Sequence, residues 1–142
     1  GCLVGSEMCI RDSNNWIFRE RFNYYDQLSD QLRNGRLNDG YQVSNKNYQL
    51  ALKDLSILKN QIDAVFDKTD LIITPSAPGE ALKGLEYTGS PIFNTTWSLN
   101  GNPCITLPLF KGKQELPIGC QLVARFGEDD QLFNYAKGFL EL

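Results

Sequence analysis

Four groupings of residues in this sequence have the types and spacing to do chemistry. Ser56-Ile57-Leu58-Lys59 matches S-x-x-K, in which a lysine one helical turn from a serine takes the hydroxyl proton and leaves an acyl-accepting nucleophile. Asn94-Thr95-Thr96 fits the acceptor pattern for N-glycosylation. Asp54, Asp63 and Asp67 offer carboxylates at near-helical spacing, and Cys104 and Cys120 offer thiols with fifteen residues between them. Each grouping also has a plainer reading. Ser56 and Lys59 fall in a long segment whose Leu55 and Leu58 belong to an apolar stripe, and neither S-D-N nor K-T-G follows, so both read as solvated helix-surface residues. No secretory signal accompanies the glycosylation pattern. The aspartates alternate with Lys53, Lys59 and Lys68, as on an ordinary charged helix face. The cysteine spacing fits neither a metal site nor a disulfide framework, which leaves two buried apolar cysteines in a reducing cytoplasm.

The absence of histidine narrows the chemistry further. Among 142 residues there is none, which removes Ser-His-Asp and Cys-His nucleophiles, an HExxH zinc site and any imidazole acid or base. No metal or other cofactor is expected. With 14 basic against 17 acidic residues and no basic block, the chain offers no footprint for nucleic acid or an anionic membrane surface. The apolar runs are too short to cross a bilayer. The residues carry no signal for an oligomeric state.

Residues 1–13, GCLVGSEMCIRDS, differ from the remainder of the chain. They hold two of the four cysteines and the single methionine, and show neither helical nor strand periodicity. Glu7-Met8-Cys9-Ile10-Arg11-Asp12 resembles the translation of a transposon mosaic-end sequencing adapter of the kind left at broken gene ends in shotgun metagenomic assemblies. We therefore read 1–13 as a non-native leader and 14–142 as the protein, whose net charge is −2 without the leader.

The elements that must position any site follow from periodicity. Phe18, Phe22, Tyr25, Leu28 and Leu32 form one helical stripe over 15–33, stopped by Asn34-Gly35 and Asn38-Asp39-Gly40. A second helix of about 22 residues opens at Ser44 as N-cap and turns Tyr48, Ala51, Leu52, Leu55, Leu58, Ile62, Val65 and Phe66 to one side. The period then changes. Residues 70–75 read as a buried strand ended by Pro75, 76–90 as irregular, and 93–99 as a short helix capped at Gly101. Strands over 104–110 and 116–124, joined by a short polar turn, should pair antiparallel, and Pro108, like Pro75, is read as a strand-ending residue. The closing helix, 128–141, starts on Glu128-Asp129-Asp130 and points Leu132, Phe133, Ala136, Phe139 and Leu140 inward. This is an α/β pattern with a mixed sheet of about three strands flanked by helices. Gln121, a polar side chain in an apolar strand, requires a buried hydrogen-bond partner.

Read in order, Tyr48 with Ala51, Asp70-Leu-Ile-Ile-Thr-Pro75, Thr88-Gly89, Phe93-Asn94-Thr-Thr-Trp97, Leu99-Asn-Gly-Asn-Pro103, Ile105-Thr-Leu-Pro108 and Leu116-Pro-Ile-Gly-Cys-Gln-Leu-Val123 resemble the C-terminal part of the amidase signature family. The resemblance covers nearly all of 14–142. It implies part of a mixed-sheet α/β/α fold and hydrolysis of a carbon–nitrogen amide bond on a small-molecule substrate. The implied machinery is a serine activated through a second serine, on a cis peptide, by a neutral lysine, with backbone N–H groups stabilising the oxyanion.

That machinery belongs to a Gly-Ser-Ser-Gly-rich stretch in the family's N-terminal half, and nothing in this chain matches it. No catalytic residue is therefore assigned here. The missing N-terminal half becomes the implied partner, and the chain alone is expected to be inactive. Phe93, Asn94 and Trp97, just before Gly101, are the candidate substrate-binding residues. The family's glutamyl-tRNA amidotransferase A subunits are expected to carry an aspartate just upstream of this helix. Pro91 stands there in this chain, which favours a stand-alone amidase. A non-catalytic α/β binding or interaction domain is the rival reading.

Overall fold

The computed structural model describes residues 24–28, 30, 34, 43–84 and 89–141. The leader 1–13, most of the helix expected over 15–33, and Thr88 lie outside the described residues. The chain divides into two compact units, Gly1–Leu58 and Lys59–Leu142. In the first, Tyr25–Gln27 is a single 3-10 turn.

Helix α1 spans Asn45–Val65. The Ser44 hydroxyl accepts the Asn47 N–H at 3.2 Å, so the expected N-cap satisfies one of the amide donors that a helix start leaves without a partner. With no internal Gly or Pro, α1 runs unbroken, and Ala51 is the buried residue of its stripe. Tyr48, Leu52, Leu55, Leu58 and Ile62 are half-buried, whereas Val65 is exposed.

The second unit is organised by a three-stranded sheet in the order β1-β3-β2, where β1 is Ile72–Pro75, β2 is Cys104–Lys111 and β3 is Pro117–Val123. Both ladders are antiparallel, and β3, the most buried strand, takes the centre. Side chains alternate along β3. Cys120 and Leu122 project to one face, where they join Leu107, Ala124, and Leu132 and Ala136 of helix α3 (Asp129–Leu140) to form the core. Gly119, Gln121 and Val123 belong to the other face. Helix α2, Thr95–Asn100, ends on Gly101 at φ 81°, whose N–H donates to Trp97 O at 2.8 Å, as the expected C-cap requires.

Two expectations are corrected. Pro108 does not end β2: the strand continues to Lys111, and the register shifts between Leu107 and Phe110. A proline has no N–H to give the ladder, and a bulge lets the strand continue past it. On α3, Leu132 and Ala136 are buried and Phe139 packs against the core, but Phe133 and Leu140 are 56% and 64% exposed. Neighbouring residues on a helix stand about 100° apart, so a stripe centred on 132, 136 and 139 leaves 133 and 140 on its flank.

Candidate substrate cleft

The face of the sheet opposite α3 carries the polar chemistry. Thr74 and Thr106 flank Gln121 in the two ladders, giving a polar row across all three strands. The Thr74 hydroxyl donates to Gln121 Oε1 at 3.0 Å, and Gln121 Nε2 donates to Asn94 Oδ1 at 2.6 Å. Asn94 Nδ2 in turn donates to the Ser76 carbonyl at 3.0 Å. Gln121, 4% exposed, thus obtains the partners its burial demands. The same chain of bonds ties the loop after β1 and the residue before α2 to the sheet centre.

Ser76 is held from a second side. Its N–H and hydroxyl both donate to the Gly119 carbonyl, each at 3.2 Å. A Cβ on Gly119 would collide with Ser76 Oγ and Thr106 Cγ2, so only glycine permits this approach.

Beyond Ser76 the loop bounds a cleft of about 1190 Å³, lined chiefly by 76–83, 89–91, Asn94, Gln114, Leu116, Pro117 and Gly119. Its volume exceeds the roughly 300–1,000 Å³ typical of small-molecule sites. Across this cleft Glu80 Oε1 accepts the N–H of Gln114 at 2.8 Å and of Leu116 at 3.2 Å, joining the loop to the turn between β2 and β3.

Of the candidates read from sequence, Asn94 lines the cleft, with its amide oxygen and nitrogen each engaged as above. Phe93 and Trp97 are half-buried and lie outside the cleft lining. Ser56 and Lys59 are both exposed on α1. Sequence reasoning missed Ser76 and Glu80, which fall in the stretch that reads as irregular. The signal within reach was a carboxylate isolated in a Gly- and Pro-rich segment, where a side chain has backbone donors nearby.

Asp63 and Asp67 do more than decorate a charged face. Arg125 Nε and Nη2 donate to the two Asp63 carboxylate oxygens at 2.7 and 2.9 Å, and Nη2 reaches Asp67 Oδ1 at 2.6 Å. The guanidinium's hydrogen bond to Asp63 holds that carboxyl below its usual range and raises the arginine's own pKa. Cys120 is buried as expected, whereas Cys104, at the start of β2, is exposed; partial desolvation still pushes its thiol up to about 11, which makes it a poor nucleophile near neutral pH. Among the described residues no cluster of His, Cys, Asp and Glu could hold a metal, and no helix is long and apolar enough to cross a membrane.

Residues 11–133 match the Amidase family model, and the chain belongs to that family. It is 28% identical to the A subunit of glutamyl-tRNA(Gln) amidotransferase from Sulfurimonas denitrificans, over 96% of this chain and 32% of that protein. A crystal structure of an amidase superposes with a TM-score of 0.74 at 23% identity, over 90% of this chain and 33% of the other. A 6-aminohexanoate cyclic dimer hydrolase complexed with substrate gives 0.56 at 22% identity, over 74% and 27%. At these identities the two structures show a shared fold. The chain spans about a third of the length of the relative from Sulfurimonas denitrificans.

Proposed function

We propose that residues 14–142 are the C-terminal part of an amidase that hydrolyses a carbon–nitrogen amide bond in a small-molecule substrate, and that the cleft beside Ser76 and Asn94 is one wall of its substrate site. The observation that carries this reading is the Amidase match over 11–133. In the proposed reaction a serine supplied by chain N-terminal to residue 14 attacks the amide carbonyl and the amine leaves with a proton. Water then cleaves the acyl-enzyme to the carboxylic acid and frees the serine. A Ser–Ser–Lys arrangement runs these steps without histidine or cofactor.

This segment's part is to shape and orient. Asn94 faces the substrate region while its amide fastens that wall to Gln121 and Ser76, and Phe93 and Trp97, half-buried beside it, remain candidates for substrate contact. The compartment proposed is the cytoplasm, on a spacing of Cys104 and Cys120 that fits no disulfide framework.

A second reading, as the tRNA-dependent amidotransferase component, has in its favour the 28% identity to the Sulfurimonas denitrificans protein. Pro91 favours the stand-alone enzyme. The test is to express the complete reading frame and residues 14–142 separately and to measure ammonia and acid release from a panel of linear amides. Turnover by the complete protein alone supports the amidase. Ammonia release from glutamine only, dependent on added partner proteins, supports the amidotransferase. No turnover by either leaves the non-catalytic binding domain.

A further inference from the structure

The turn between β2 and β3 is built around a side chain from elsewhere in the unit. Gly112 N–H donates to Leu116 O at 2.9 Å and Glu115 N–H to Gly112 O at 3.2 Å, which folds 112–116 into a closed turn. Glu115 takes φ 60°, a left-handed conformation uncommon for a residue with a side chain. In that shape the N–H groups of Gln114 and Leu116 converge on one point, and Glu80 Oε1 occupies it at 2.8 and 3.2 Å. Backbone N–H groups two residues apart that converge in this way form an anion-binding concavity. Gly112 completes the arrangement, because a Cβ there would clash with Glu80 Cδ and Cγ, lying closer to both than such atoms can approach. The turn therefore has a donor pair aimed at Glu80 and a floor left empty for it.

Glu80, Gln114 and Leu116 all line the cleft, whereas Gly112 does not. The 76–84 loop is pinned at its start by Ser76 to Gly119 and by Asn94 to Ser76. Further along, between Ala77 and Lys83, it is the Glu80 side chain that hydrogen-bonds to another element of the unit, the turn. We propose that Glu80 is a positioning residue that clamps the turn to the loop and thereby sets the width of the amide-binding cleft. The proposal rests on the reading of that cleft as a substrate wall. Glu80 acts through the placement of the two walls and need not touch the substrate.

The test uses the complete protein that residues 14–142 are proposed to end, and two readouts on four variants: Glu80→Ala, Glu80→Gln, Gly112→Ala and the Glu80→Ala/Gly112→Ala double substitution. The first readout is hydrogen exchange at the Gln114 and Leu116 amides. The second is the affinity for phenylacetamide, followed by NMR at Asn94 and Gly119. Glu80→Ala should speed exchange at those two amides about tenfold or more, the scale of a charge-assisted hydrogen bond, and weaken phenylacetamide by a similar factor. Glu80→Gln keeps a carbonyl acceptor and should restore most of both. Gly112→Ala should mimic Glu80→Ala, and the double variant should be no worse than either single one, since both break the same clamp.

Unchanged exchange at Gln114 and Leu116 in Glu80→Ala overturns the clamp whatever the cleft binds. Equal phenylacetamide affinity in all variants overturns the positioning role and leaves the amide reading standing. If exchange responds as stated but the parent chain does not bind phenylacetamide, the amide reading of the cleft fails and the positioning role falls with it. Additive losses in the double variant would show that Gly112 acts apart from Glu80, and would overturn the built receptor.

Discussion

Gln121 Nε2 donates to Asn94 Oδ1 at 2.6 Å, and this bond joins the middle of the central strand to the wall of the cleft. Gln121 is buried between Thr74 and Thr106 at the centre of the sheet, so its partners cannot be replaced by water at no loss. Gln121→Leu would leave Asn94 Oδ1 and the Thr74 hydroxyl without their partners. The expected destabilisation is about 1–3 kcal/mol, read as a lower denaturant midpoint at unchanged slope. A neutral outcome would mean that the network does not brace the cleft.

Gly119 sets how closely the loop after β1 approaches the sheet. Gly119→Ala must push against Ser76 Oγ and Thr106 Cγ2. Overpacking of this kind costs about 1–3 kcal/mol. Ser76→Gly in the same background should recover part of the loss, because it removes one of the two obstacles, and thermal melts of the single and double variants test this.

The Arg125 cluster gives a pH signature. Its hydrogen bond depresses the folded-state pKa of Asp63, so the ion pair stabilises the fold above the unfolded carboxylate range and is lost as pH falls through the folded value. The melting temperature of Arg125→Met should therefore lie below the parent's at neutral pH, with the gap closing below about pH 4. Both partners are solvent-exposed, so added salt should narrow the gap as well.

Cys104 should be sluggish. With the thiol pushed up to about 11, its thiolate fraction at pH 8 is about two orders of magnitude below that of free cysteine. In a chain whose Cys2 and Cys9 are replaced by serine, a disulfide reagent should label Cys104 slowly at pH 8, and faster once the chain is unfolded. Labelling at the free-cysteine rate in the folded chain would show that partial desolvation does not hold this exposed thiol protonated.

Much of the described fold was legible because it rests on local rules. The Ser44 cap, the Gly101 cap, the uninterrupted α1 and the antiparallel pair β2 and β3 all follow from residue type and period over a few positions. Gln121 announced that it needed a partner, but not that Asn94, 27 residues away, would be one. Glu80 with the 112–116 turn, and Arg125 with Asp63 and Asp67, were illegible for the same reason. Each joins residues tens of positions apart, and neither end has a local pattern that names the other. Pro108 was misjudged because strand propensity says nothing of a bulge that accommodates a missing N–H.

The central claim is that 14–142 is the tail of an amidase whose nucleophile is encoded upstream, and the most direct measurement is the nucleotide sequence across codon 14 in the source DNA. The account predicts that the adapter-like codons 7–12 vanish and that an open frame continues upstream into a lysine and a Ser-Ser-Gly stretch. A natural start at or before codon 14, with residues 1–13 genomic and no such stretch, would contradict it.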